Sequence, residues 1–113
     1  MMFVHESQQQ IPYVALATRL SAALRFVPGI RPAMPPYNAP AGAILGHGVA
    51  IVPHDTTLDV YCYVLVDPRT DASVVTQSMQ IKTLVSTLIQ GGDPRAVTVF
   101  VIVCDVQTQG THA

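Results

Sequence analysis

The chain has 113 residues, of which half are hydrophobic and only 12% are charged, and its formal net charge is −1. This length suits one hydrophobic core and is short for two, so we expect a single domain. Lys82 is the only lysine. Nucleic-acid binding depends on clustered Lys and Arg, so it is not expected. Binding to anionic membranes depends on the same residues and is not expected either. The charged fraction is about half of the typical ~25%, which indicates that some apolar surface faces a partner.

The sequence shows no signal for secretion or membrane insertion. The first ten residues have neither the basic nor the apolar region of a secretory signal. The longest apolar run, Val97 to Cys104, is far shorter than the roughly 20 residues of a membrane-spanning helix. We therefore expect a cytoplasmic protein in which Cys62 and Cys104 remain reduced and pack as small hydrophobic residues.

The N-terminal third predicts one amphipathic helix. Residues 1–10 are polar and lack periodicity, so we expect a flexible lead-in there. From Tyr13 to Val27, apolar residues recur at spacings of three and four residues, which indicates a helix with one apolar face. Pro12 suits the first turn of this helix, and Pro28-Gly29 ends it.

Three extended segments are predicted in the middle of the chain. Ile30 to Met34 is a weak strand that its proline places at a sheet edge, and a proline-stiffened loop over residues 35–42 follows it. Gly48 to Val52 is the second strand. Leu58 to Val66 is the third, and it is apolar on both faces. The short separation between the second and third strands predicts a hairpin.

The C-terminal part predicts a helix and a strand. A turn at residues 67–71 leads into an amphipathic helix from Ser73 to Gln90, which Gly91-Gly92 ends. Ala96 to Val106 alternates valine with other residues and predicts the last strand, followed by a flexible polar tail over residues 107–113. A single domain over residues 11–106 is therefore expected.

This order of elements, α-β-β-β-α-β, predicts an α+β fold. Both helices need an apolar surface to cover, which favours a two-layer sandwich with both helices on one face of a three- to four-stranded sheet. We assign the valine stripes of the last two strands to the helix side, namely Val60, Cys62 and Val64 with Val97, Val99 and Val101.

The opposite face of the sheet then carries a predicted interaction surface. Its five members are apolar side chains that alternate with the valine stripes: Tyr61, Tyr63, Leu65, Phe100 and Ile102. A contiguous exposed apolar patch marks an interface more often than an accident, and aromatic residues are enriched at interface centres. The alternative is that the loop from Met34 to Ala43 covers this face within the monomer.

No catalytic, cofactor-binding or metal-binding residues are predicted. The best local set of metal ligands is His47, His54, Asp55 and Asp59, and its spacing matches no familiar zinc pattern. Gly46-His47-Gly48 leads into a strand, whereas a phosphate-binding loop leads into a helix N-terminus. Nucleophilic catalysis needs a thiol or hydroxyl beside a base, and no such arrangement is evident. We therefore expect a protein that is not an enzyme and needs no cofactor.

Several stretches together resemble the alkaline shock protein family of Gram-positive bacteria. They span most of residues 11–106 and are Val-Pro-Gly-Ile (27–30), Gly-Val-Ala-Ile-Val (48–52), Leu-Asp-Val-Tyr-Cys-Tyr-Val (58–64), the helix with Ile81, Lys82 and Val85, and a final strand closing on Asp105-Val106. The resemblance implies a non-enzymatic protein of general stress and cell-envelope homeostasis. It also implies assembly, in some relatives beneath the cytoplasmic membrane through a membrane-anchored partner.

Two functions follow. The leading one is a scaffold or adaptor that forms homo-oligomers and acts through protein contacts. The alternative is a small-molecule-binding domain or minor enzyme with a pocket between the proline-rich loop and the sheet.

Overall fold

The computed structural model describes residues 2–34, 39–67, 69, 73–90 and 95–106. Within these ranges the elements in chain order are α1 (Met2–Leu24), β1 (Ile30–Pro32), β2 (Ile44–Gly46), β3 (Val49–Pro53), β4 (Thr57–Val66), α2 (Val74–Gln90) and β5 (Ala96–Val106). The predicted α+β class is confirmed. The predicted order is also confirmed, except that the described sheet has five strands because β2 adds a short one. Residues 35–38 of the predicted loop and the predicted tail lie outside the described residues.

β4 is the central strand of one mixed sheet. β5 runs parallel to β4 along its whole length, from Thr57 opposite Ala96 to Val66 opposite Val106. On the other flank β3 and β1 lie end to end, both antiparallel to β4, and β2 pairs with the far side of β3. The predicted hairpin of the second and third strands is confirmed as β3 and β4. Within the described sheet β1 pairs with β4 alone, so its predicted edge position is confirmed too.

Tyr63 lies at the junction between β1 and β3. Its backbone N–H donates to the carbonyl of Gly48 at 2.8 Å, and its carbonyl accepts from the N–H of Ala33 at 2.7 Å. Both polar groups of this backbone position are therefore satisfied, although neither neighbouring strand spans the junction.

Both helices pack on the same face of the sheet. The main core is built from α1, α2 and the inward side chains of the strands, including Leu20, Leu24, Ile51, Val60, Cys62, Val64, Ile81, Val85 and Val99. Val97 and Val101 pack against this core as half-buried residues. The prediction that the two valine stripes face the helices is therefore confirmed.

α1 starts earlier than predicted. A flexible lead-in is predicted over residues 1–10, whereas the helix begins at Met2 and continues through Pro12. Periodicity finds only those helical segments that carry an apolar stripe, while Glu and Gln favour helix by intrinsic propensity. A proline inside a helix removes one backbone donor, which reduces stability without forbidding the helix. α1 also ends at Leu24, three residues before the predicted end at Val27.

α2 buries a polar residue in its core-facing stripe. The stripe is formed by residues four apart, Gln77, Ile81, Val85 and Ile89, and Gln77 is only 1% exposed. The Gln77 side-chain amide donates to the carbonyl of Pro28 at 2.9 Å, which ties α2 to the turn after α1. Its Oε1 atom has no hydrogen-bond partner in the described part of the chain. The apolar spacing of this helix also predicts Val74 and Leu88 for the buried face, but they are 46% and 38% exposed, so the prediction is wrong for these two residues.

A tight hairpin joins β2 to β3. Gly46 pairs with Val49, so His47 and Gly48 form the turn between them, and Gly48 has a φ of +79°. A Cβ at Gly48 would lie 2.6 Å from the Cβ of Pro32, so the turn packs directly against β1. The Ser21 hydroxyl of α1 donates to the carbonyl of His47. The turn is thus held between α1 and β1.

Candidate interaction surfaces

The five residues of the predicted interaction surface lie on the sheet face away from the helices, which we call the outer sheet face. Tyr61, Tyr63 and Leu65 come from β4, and Phe100 and Ile102 come from the neighbouring positions of β5. Tyr61 and Phe100 are direct neighbours in the register, with ring centroids 4.7 Å apart and ring planes inclined by 14°. Stacked aromatic rings of this kind form a flat apolar surface of large area. Phe100 is 40% exposed, so part of this surface is open to solvent.

Tyr63 forms the buried centre of this face. It is 4% exposed and belongs to a second cluster with Ala33 and Ala50, against which Ala43 packs. Burial raises the pKa of the Tyr63 hydroxyl, and the neighbouring Tyr61 and Cys104 raise it further. Ala43 is the last residue of the Met34–Ala43 segment that was considered as a cover of this face, and Ala33 directly precedes that segment. The accessible part of the outer sheet face is therefore formed by Tyr61, Leu65, Phe100 and Ile102.

The free edge of β5 adjoins this surface. Among the described residues β5 pairs with β4 alone, so its other edge has no strand partner there. No charged residue and no proline occurs from Ala96 to Cys104. Charges, prolines and bulges are the usual means by which proteins prevent edge strands from pairing with other chains. The register shifts at Val64/Leu65, so that Val103 faces Val64 and Asp105 faces Leu65, and only this bulge at Cys104 interrupts the edge.

The two cysteines differ, although the sequence predicted hydrophobic packing for both. Cys62 is fully buried in the core, and burial raises the pKa of its thiol to about 12. This environment keeps the thiol protonated and unreactive at neutral pH. Cys104 is exposed, so the packing prediction is wrong for this residue. Cys104 is the extra residue of the β5 bulge, which interrupts the regular alternation on which that prediction depended.

The residues considered as metal ligands do not converge. His54 and Asp59 are hydrogen-bonded at 3.0 Å between Nε2 and Oδ2, whereas His47 lies at the β2–β3 turn. In the described ranges no group of three or more His, Cys, Asp or Glu side chains could hold a metal ion. The pair itself joins the turn after β3 to β4, which is a structural role.

A groove beside β1 was not predicted from the sequence. We call it the β1 groove; its volume is about 570 Å³ and it is lined by Arg25, Ile30, Arg31, Pro32, His47 and Leu65. A second groove of about 460 Å³ lies against α1 and shares two of these residues, Arg25 and His47. Its other lining residues are Thr18, Ser21, Ala22 and Phe26. Arg25 and Arg31 lie close together in the sequence, but His47 is separated from them by the proline-rich segment, and the β2–β3 turn brings it close to β1, so no local motif indicates the site.

No protein-family model, curated protein or solved structure matches the chain. Across the described ranges, neither helix combines the length and hydrophobicity that would be needed to cross a membrane. We therefore infer the binding properties of this chain from its own surfaces.

Proposed function

We propose that the protein is a non-enzymatic scaffold or adaptor of the alkaline shock protein type, which acts in envelope stress homeostasis by self-association and protein contacts. The observation that carries this proposal is the uncharged β5 edge with the exposed Tyr61–Phe100 stack beside it. The edge exposes unpaired backbone donors and acceptors, with which a strand of a second chain can pair. The stack exposes aromatic surface, which a second chain can cover.

The occupant that best fits the β5 edge is a second copy of this chain. Two β5 strands can pair in antiparallel orientation about a two-fold axis, because an antiparallel pair of identical strands is self-complementary. The stretch from Ala96 to Val103 is free of charge, so no like charges would meet across the axis. Phe100 lies near the middle of this stretch, so the aromatic stacks of the two copies would be adjacent on one continuous sheet. Val103 at the end of this stretch is 39% exposed and would gain cover.

Sedimentation velocity at micromolar concentration tests this proposal. We expect the unmodified chain to sediment as a dimer or larger assembly, and Phe100→Asp to sediment as a monomer, because the charge would have to be buried at the new interface. Met79→Asp is the matched control, since Met79 is 64% exposed on α2, which packs on the opposite face of the sheet from the Tyr61–Phe100 stack. Circular dichroism should show that both variants remain folded. A monomeric unmodified chain, or equal dispersal by both substitutions, would refute the proposal.

We further propose that the assembly is held at the inner side of the cytoplasmic membrane by a membrane-anchored protein. This step comes from the family resemblance and not from a particular contact. Cross-linking in the native host followed by purification of the tagged chain should recover an envelope protein. Recovery of the chain alone, with an even distribution through the cytoplasm, would argue against an anchored partner and leave self-association to be judged by sedimentation.

A further inference from the structure

We propose that the β1 groove binds a small organic oxyanion, that is, a carboxylate or phosphate group attached to an apolar body, through the guanidinium groups of Arg25 and Arg31. The groove lies beside β1, on the flank of β4 opposite to β5. The groove shares Leu65 with the outer sheet face but does not include the β5 edge, so binding there does not require the proposed pairing of β5 strands. The position also fits the pocket that the sequence analysis left open, since the groove lies beside β1, directly before the proline-rich segment.

The charge of Arg31 is available to a ligand. Its guanidinium makes no hydrogen bond or ion pair with the residues that the structure describes. Asp67 is close enough for Arg31 to lower the pKa of its carboxyl, but hydrogen bonds from Arg69 lower that pKa more strongly. Arg69 holds the Asp67 carboxylate through Nε at 3.1 Å and Nη2 at 3.0 Å, which is the paired geometry of strong guanidinium–carboxylate contacts. The charge of Asp67 is thus largely matched by Arg69.

The charge of Arg25 is available as well. Arginine side chains near a helix C-terminus often bind the last carbonyl groups of that helix. In α1 backbone groups serve this purpose: the N–H groups of Arg25, Phe26 and Val27 donate to the carbonyls of Ala22, Ala23 and Leu24. The Arg25 guanidinium makes no hydrogen bond or ion pair in the described part of the chain. It borders both grooves and can turn towards a ligand in either one.

The remaining lining suits an apolar body with one polar head. The apolar lining residues are Ile30 and Pro32, which are buried, and Leu65, which is half-buried. The imidazole of His47 adds a ring nitrogen that can donate one hydrogen bond in the neutral form. The volume of about 570 Å³ lies within the range of roughly 300–1,000 Å³ that is usual for small-molecule sites. The turn that carries His47 is packed against Pro32, so little ordering accompanies binding.

Isothermal titration of the full chain with matched probes tests the proposal. Hexanoate and hexyl phosphate carry the two possible heads, and comparing their affinities distinguishes a carboxylate site from a phosphate site. Hexylammonium keeps the apolar body but reverses the charge, and acetate keeps the negative charge but lacks the apolar body. Both controls should bind more weakly than whichever of hexanoate and hexyl phosphate binds more tightly. Arg25→Gln and Arg31→Gln should each weaken that binding by roughly three- to tenfold, as expected when one partly exposed charged contact is lost.

Arg19→Gln is the matched variant, because Arg19 is an exposed arginine of α1 that lines neither groove. It should leave the affinity unchanged. Equal weakening by Arg19→Gln would show that binding reflects overall charge, and lack of binding of both anions at millimolar concentration would also overturn the proposal. Sedimentation of the same Arg variants should match that of the unmodified chain, so failure of this site and failure of self-association give separate results.

Discussion

Replacing Gly48 by alanine should strongly destabilise the protein, because two independent costs apply at this position. The φ of Gly48 is +79°, in the left-handed region, where a residue with a Cβ costs about 1–2 kcal/mol. The new Cβ would also lie 2.6 Å from the Cβ of Pro32 and 2.9 Å from the carbonyl oxygen of Ala33. Backbone has to move to relieve the second contact, and overpacking of this kind costs about 1–3 kcal/mol more. We therefore expect a loss of about 2–5 kcal/mol, a large part of the ~5–15 kcal/mol that stabilises a typical domain.

Gly42→Ala separates these two costs. Gly42 has almost the same φ, +77°, but no atom lies within 4 Å of a Cβ built there. This control should lose only the conformational part, about 1–2 kcal/mol. Urea unfolding of the three chains measures the difference from the shift in midpoint at unchanged slope. Equal losses in the two variants would refute the close packing of the β2–β3 turn against β1, and with it the wall of the β1 groove.

Two further predictions concern buried polar atoms in the core. The free energy of unfolding should fall between about pH 9 and pH 12, because an unfolded thiol ionises near pH 9 while buried Cys62 keeps its proton up to about pH 12. Urea unfolding measures the free energy of unfolding at each pH in this range. That free energy should fall more steeply with pH in the unmodified chain than in Cys62→Ala, and the difference should approach about 1.4 kcal/mol per pH unit. Equal dependence on pH in the two chains would contradict the burial of the Cys62 thiol. Gln77→Glu should lower the free energy of unfolding by at least about 3 kcal/mol at neutral pH, because an ionised carboxylate would be buried without a cation. The control is Gln80→Glu on the exposed side of α2, which should change the free energy of unfolding by no more than about 0.5 kcal/mol. Thermal unfolding distinguishes them, and similar melting temperatures would show that Gln77 is not buried.

The parts of the fold that were predictable are those in which one periodicity extends over many residues. β4 and β5 alternate over ten and eleven residues, and this was enough to assign their valine stripes to the helix side. α2 was found with its ends nearly correct because a turn sequence precedes it and two glycines follow, but the capping residue is Ser73, whose hydroxyl oxygen accepts from the N–H of Thr76. The start of α1 was missed because its first residues carry no apolar stripe. β2 was missed because three residues, one of which is a glycine, are too few to show any period.

The candidate sites depended on neighbours that local patterns do not reveal. All five residues of the outer sheet face were assigned to the correct side, but alternation does not indicate how much of a face is covered, and Tyr63 proved to be buried. Gln77 was assigned to neither face of α2, although its spacing of four from Ile81 follows the buried stripe. The β1 groove combines the end of α1, an edge strand and a hairpin turn, so its formation depends on tertiary packing alone.

The double hydrogen bonding of Tyr63 affects how this protein can change in length. The chain leaves β4 at Ala33, which donates to the Tyr63 carbonyl, and it rejoins β4 at Gly48, which accepts from the Tyr63 N–H. Both ends of the intervening segment are therefore fixed to the same residue. Residues inserted or deleted between Ala33 and β2 would leave the pairing of β1 and β3 with β4 in place, and lengthening such a loop costs little, about 0.6 kcal/mol for each doubling. This segment is the natural place for related chains to differ in length, or for a tag to be introduced without disturbing the sheet.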